Sequence, residues 1–189
     1  MPIGDNEDEI WDVYDSQRRR TGRTHRRGDP LMPGEYHLVV HICIFNSRGE
    51  LLIQKRQPWK KGFPGYWDLS AAGSALAGDD SRRAARREVK EELGLDVDFS
   101  REQVRFTFHF PNGFDDYWML TRDVEISELR LQYEEVAEAK WAGREEVARL
   151  VQQGSFVPYY FIDRIFDIYE GTGAIDDQKK IGRRKNHGQ

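Results

Sequence analysis

The sequence predicts a layered domain of mixed α/β or α+β type, and three observations predict it. Strand-length apolar runs recur at 37–45, 51–55, 104–110 and 117–126. An amphipathic segment of helical period stands between the second and third runs. Two more helical patterns follow the last strand, and no internal repeat interrupts the order, so strands and helices alternate as in a mixed sheet covered by helices.

At 189 residues the chain suits one domain with terminal extensions. Hydrophobic residues make up 38% and aromatic residues 12%, enough apolar area to offset chain entropy in the middle of the chain. Basic side chains number 29 against 33 acidic ones, a net charge of −4, which argues against a nucleic-acid coat or a polybasic membrane binder. Cys43 is the single cysteine, so an internal disulfide or multi-cysteine metal site is excluded, and a reducing, cytoplasmic setting is expected. No apolar stretch approaches the roughly 18 residues of a membrane span, and the acidic opening Met1 to Glu9 is unlike a signal peptide.

Residues 1–34 read as an N-terminal extension: acidic at first, then the basic run RRRTGRTHRR from Arg18 to Arg27, then the breakers Pro30 and Pro33. HLVVHICIF (37–45) and LLIQK (51–55), joined by a turn at Asn46 to Gly49, predict a hairpin. GFPGYWDLSAAG (62–73) mixes turn formers with Trp67 and Leu69, a short strand leading to a glycine loop. Asp79, Asp80 or Ser81 can cap a helix that runs to Leu93 and ends at Gly94. Strands at 104–110 and 117–126 are joined through Pro111, Asn112 and Gly113, with a further short strand at 139–142. Helices follow at 145–153 and 158–169, and the polar tail from Gly171 is expected to be loose.

The helix at 80–93 carries the candidate chemistry. At about 100° per residue, Glu88, Glu91 and Glu92 fall within an arc of roughly 100°, beside an apolar stripe of Ala85, Val89 and Leu93. Three like charges on one face repel, and a hard divalent cation relieves that repulsion better than neighbouring arginines do. Taken alone, REVKEE is equally the pattern of a solvated acidic helix paired with its own basic residues.

The longer context favours the metal. Gly73 is followed by five residues, Asp79, seven residues, Arg87-Glu88-Val89, one spacer, Glu91-Glu92, one spacer and Gly94-Leu95. This resembles the Nudix box of diphosphate hydrolases, with Asp79 where the family has Glu. The resemblance implies an α/β/α sandwich with a mixed sheet and a C-terminal helix over 35–170, leaving 171–189 as a tail. It also implies a Mg²⁺- or Mn²⁺-dependent hydrolase of a nucleoside diphosphate derivative or related organic diphosphate. By resemblance Glu88 and Glu92 are principal metal ligands, Glu91 a further ligand, and Gly73 a ligand through its carbonyl. Arg87 would orient the carboxylates. Glu88, or a later carboxylate such as Glu135 in EEVAEAKW, would accept a proton from water; Glu135 is equally readable as an exposed loop residue.

Beyond the box, His37, FNSRGELLIQKR, Lys60-Lys61 and PGYWDLSAAG resemble the branch that includes type I isopentenyl-diphosphate isomerase. There the residues matching Arg56 and Lys60 bind the diphosphate; solvated side chains are the alternative. The isomerase cysteine is replaced by Ala72, and two histidines of its metal site by Ser74 and Pro30, so water attack on phosphorus is expected over carbon chemistry. An isomerase, or a non-catalytic nucleotide- or RNA-binding module, are the competing readings.

Other residues are less telling. The arginine run could attract a polyanion but is more readily a solvated arm. His41 suits a core or sheet edge, His109 could face substrate, and Asp115 and Asp116 are secondary metal candidates. Phe63, Tyr66 and Trp67 could stack an organic group. The expected partner is a small-molecule diphosphate, with neither membrane nor nucleic acid, and a homodimer is compatible with the sequence.

Overall fold

The computed structural model describes residues 8–171; the acidic opening before Asp8 and the polar tail after Gly171 lie outside the described residues. Nine strands and three α-helices follow in the order β1 (Ile10–Tyr14), β2 (Arg20–Arg26), β3 (His37–Phe45), β4 (Leu51–Arg56), β5 (Trp67–Asp68), β6 (Ala71–Ser74), α1 (Ser81–Leu93), β7 (Val104–Phe110), β8 (Gly113–Thr121), β9 (Val136–Ala142), α2 (Arg144–Gln152) and α3 (Ile165–Glu170). Seven strands make one mixed sheet in the order β5-β4-β3-β8-β7, with β6 also on β3 and β9 also on β4. β3 and β8 run parallel along their whole length, from His37 opposite Gly113 to Phe45 opposite Thr121. That pairing explains why β8 starts at Gly113, four residues earlier than its apolar pattern predicts.

The sheet forks where the site will stand. β3 and β4 are paired only at Phe45 and Leu51. β6 takes the place beside β3, with Val40 opposite Gly73 and His41 opposite Ala72, while β4 turns to β5 and β9. Ser70 sits in the fork, fully buried, its Oγ accepting from Ile44 N at 2.8 Å and donating to Leu52 O at 2.6 Å. One hydroxyl thus replaces the backbone pairing that the diverging strands give up.

Alternation along β3 settles which face is buried. Leu38, Val40, Ile42 and Ile44 enter the core with Phe114, Trp118 and Leu120 of β8, and α1 lays Ala84, Ala85, Val89 and Leu93 on them. Asp80 caps α1 by accepting from Arg83 N at 2.8 Å, and Gly94 ends it at φ 72°, a left-handed turn that a side chain would resist. Both ends are where the residue pattern puts them.

The segment before residue 35 differs from a solvated arm. β1 and β2 form a hairpin whose second strand is the arginine run. Its exposed, all-polar face carries no hydrophobic alternation, so the strand is invisible to period-two reading. The hairpin is tied down by Trp11, stacked on His37 at 4.5 Å, and by Ala77 N donating to Ile10 O at 2.7 Å. Gly78 N donates to Asp12 Oδ2 at 2.9 Å, and Arg18 pairs with the fully buried Asp116.

Residues 158–171 form a separate compact unit: a 3-10 turn at Ile162–Arg164 followed by α3. The sequence pattern predicts a helix from 158; with no side chain capping its amino end, the first turn is 3-10 and begins at Ile162.

Candidate active site

α1 presents its three glutamates unequally. The buried stripe is centred between Ala85 and Val89, so Glu92 and then Glu88 lie nearest it, and Glu91 stands roughly 60° beyond Glu88. Accordingly Glu92 is 6% exposed and Glu88 8%, whereas the side chain of Glu91 is 49% exposed. Burial pushes the Glu88 carboxyl up to about 7, opposed by Arg87, and Glu91 adds to the rise. Glu92 is also pushed well up, first by burial and then by the charge of Glu88.

Arg87 gathers the carboxylates. Its Nε donates to Asp79 Oδ2 at 3.1 Å, Nη1 to Glu88 Oε1 at 2.8 Å and Glu91 Oε2 at 3.0 Å, and Nη2 to Ser74 O at 2.9 Å. The short side chain of Asp79 therefore still reaches its arginine. Glu92 is held from the other side of the fork: Gln54 Nε2 on β4 donates to its Oε2 at 2.8 Å and Ala72 N at 3.3 Å. Gly73 leaves room for the carboxylate of Glu88, because a Cβ there would stand 2.2 Å from its Oε1 and would have to displace it.

The remaining candidates fall into pairs. Lys60 is buried, and its Nζ lies 2.5 Å from Glu135 Oε2, so two residues expected at the site hold each other. Their loops are joined further by Gln57 N to Glu135 O at 3.0 Å and Trp59 Nε1 to Glu134 O at 3.2 Å. The 130–136 loop in turn rests on the end of α1, with Gln132 N donating to Glu92 O at 3.0 Å. Arg56 reaches the buried Asp68 at 3.1 Å and Gly62 O at 2.9 Å.

Other candidate residues are engaged with partners of their own. Asp116 is neutralised by Arg18 and accepts from Thr107 Oγ1 at 2.7 Å, a structural pairing rather than an open metal site. His41 Nε2 is 3.3 Å from Asp115 Oδ1 and its ring stacks on Tyr117 at 4.5 Å. His109 meets Phe114 edge-on at 5.0 Å. Trp67 is buried beneath Lys140, whereas Phe63, with Tyr66 at its edge, is exposed. A cleft of about 470 Å³ between Tyr14, Arg18, Arg20 and Arg83 lies at the amino end of α1, at the far end of the helix from Glu92.

Two participants escaped the sequence reading. Gln54 looks like any residue of a strand, and its role emerges only from the fork. Glu9, held by Arg27 at 2.9 Å and Trp11 Nε1 at 3.2 Å, is brought by the hairpin close enough to raise the Glu88 carboxyl further.

Among the described residues no three His, Cys, Asp or Glu side chains form a ready-made metal cage. A magnesium site does not need one, since it is usually completed by waters and substrate phosphate around one or two carboxylates. Two features fit such an ion: a pair of buried, mutually repelling carboxylates, one lying where a Cβ of residue 73 would be, and a buried amide oxygen, Gln54 Oε1, with no hydrogen-bond partner.

The family model for the NUDIX domain matches residues 35–165. The chain belongs to the Nudix family. It is 54% identical over 164 residues to an uncharacterised Nudix hydrolase of Listeria monocytogenes, spanning 87% of this chain and 97% of that protein. It is similar to an isopentenyl-diphosphate Delta-isomerase of Salmonella arizonae, 27% identical over 142 residues, 72% of this chain and 78% of that one. Protein DR0079 of Deinococcus radiodurans shares the fold, with a TM-score of 0.68 at 22% identity, covering 84% of this chain and 98% of that one. This Nudix hydrolase therefore has the expected α/β architecture with a C-terminal helix, and the family's chemistry is hydrolysis of diphosphates. No helix among its described residues is long and apolar enough to cross a membrane.

Proposed function

We propose that this Nudix hydrolase cleaves a diphosphate linkage in a nucleoside diphosphate derivative or related organic diphosphate, by water attack on phosphorus with Mg²⁺ or Mn²⁺ bound. The observation that carries the reading is the buried Glu88 and Glu92 pair, braced by Arg87 on one side and Gln54 on the other. Glu88 and Glu92 would hold the ion, with Glu91 and the Gly73 carbonyl as further ligands. When bound, the ion supplies charge neutralisation for the diphosphate and acidifies water.

The protein's own groups do the rest. Arg87 keeps the carboxylates oriented through its four hydrogen bonds. Arg56, partly exposed at the mouth of the fork, would contact the diphosphate through its guanidinium. Lys60 would reach it only by leaving Glu135, and that exchange would free Glu135 to accept the proton of the attacking water, the alternative acceptor being Glu88. The buried lone thiol of Cys43 is consistent with a reducing, cytoplasmic compartment.

The test is a panel of nucleotide sugars, dinucleoside polyphosphates, NAD-type cofactors, CoA and oxidised nucleotides assayed with each metal, alongside Glu92→Gln. At least one class should be hydrolysed, with the variant at least about 100-fold slower. A variant as active as the parent would overturn the reading. Proton exchange into isopentenyl diphosphate should be absent, because Ala72 offers no acid.

A further inference from the structure

The geometry points to Gln54 as the neutral oxygen donor of the cation site, contributed by β4 across the fork from α1. Gln54 is 3% exposed, and its NH₂ edge donates to Glu92 Oε2 at 2.8 Å. With Glu92 ionised, as a cation-holding carboxylate must be, chemistry orients the amide, since only that edge can donate to a carboxylate. Its carbonyl edge is then left buried with no hydrogen-bond partner. The group on α1 that Gln54 meets is the Glu92 carboxylate, whose own charged neighbour is Glu88; both accept when ionised, and the backbone donor at Ala72 N is already given to Glu92.

A buried set composed of acceptors is complementary to a cation or to the water that a cation carries, and an amide oxygen is a hard ligand of the kind magnesium and manganese take. A purely structural glutamine would be expected to use both edges on the protein, whereas the carbonyl edge of Gln54 is orphaned. The inference rests on the placement of the divalent ion given under Proposed function.

The experiment measures Mn²⁺ affinity by electron paramagnetic resonance on the full chain, and the melting temperature in chelator, for Gln54→Leu, Gln54→Met, Gln54→Glu and Glu92→Gln. Leu and Met should each weaken Mn²⁺ binding by at least about tenfold while still melting cooperatively in chelator, the removed orphan oxygen partly offsetting the lost donor to Glu92. Glu keeps an oxygen and loses the donor edge, so it should bind Mn²⁺ within about threefold of the parent or more tightly. Parental affinity in Leu and Met, or equal weakening in Glu, overturns the assignment, the second result placing the role in the grip on Glu92. Should Glu92→Gln also bind Mn²⁺ as the parent does, the site itself is misplaced; loss there with parental binding in Gln54→Leu sinks only the present inference.

Discussion

A carboxylate buried at 8% exposure with its pKa pushed up to about 7 is a destabilised charge, and Glu88 is held in that state by Arg87. In chelator, Glu88→Gln should therefore melt above the parent at pH 8, where the parent is ionised, while hydrolysis falls at least about 100-fold; thermal scans with and without Mg²⁺ check both, and added Mg²⁺ should stabilise the parent more than the variant. His37 behaves in the opposite sense. Burial, between Trp11 and the edge of Phe110, lowers its pKa to about 4. The unfolded chain takes up this proton near 6.5 and the folded chain does not, so stability is lost as pH falls from about 6.5 through about 4, by on the order of 3 kcal/mol. His37→Phe keeps the stack and removes the proton site; denaturant midpoints at pH 7 and 4.5 should show a smaller acid loss in the variant. At this scale the box spacing made Gly73, Arg87 and the three glutamates legible. It left unread the unequal burial of Glu91 and the contributions of Gln54 and Glu9, because these depend on contacts from strands distant in the chain.

Among elements, α1 against β6 is the contact on which the site turns. Gly73 of β6 leaves room for Glu88, so Gly73→Ala should displace that carboxylate and lower turnover by about tenfold or more, with far-UV circular dichroism unchanged. Activity and circular dichroism measured side by side separate this outcome from general misfolding. Gly94 is a different case: its φ is 72°, and a methyl group there would come within 2.6 Å of Arg130 Cβ, which makes Gly94→Ala a stability variant, with a cost of about 1–3 kcal/mol read from denaturant midpoints. Helix α1 was legible end to end because cap, apolar stripe and terminal glycine agree. The strands 37–45 and 51–55 were legible as a hairpin but not as a fork, since the divergence is decided by Ser70 and by the insertion of β6.

Across the whole molecule, the hairpin of β1 and β2 is the part that sequence pattern concealed, and it is also a brace for the box. Arg20 donates to the Asp79 carbonyl and pairs with Asp12 at 3.1 Å, while Arg18 neutralises Asp116, which has no exposure. Removing the partly exposed Arg18 leaves the buried Asp116 with the Thr107 hydroxyl but no opposite charge, so Arg18→Ala should cost about 1–3 kcal/mol. The double variant Arg18→Ala with Asp116→Asn should recover much of that loss in urea melts; additive losses would show that the pair does not matter. A run of arginines thus works as structure, because each buried or half-buried carboxylate facing it requires a partner.

Cys43 lies on β3, the middle strand of the sheet path, with no exposure, and burial drives its thiol far above the ordinary range. As the chain's lone sulfhydryl, it makes alkylation a stopwatch. Iodoacetamide can reach this sulfur only when the middle strand itself comes apart, so the rate of carboxamidomethylation counts whole-sheet openings while leaving surface fluctuations silent.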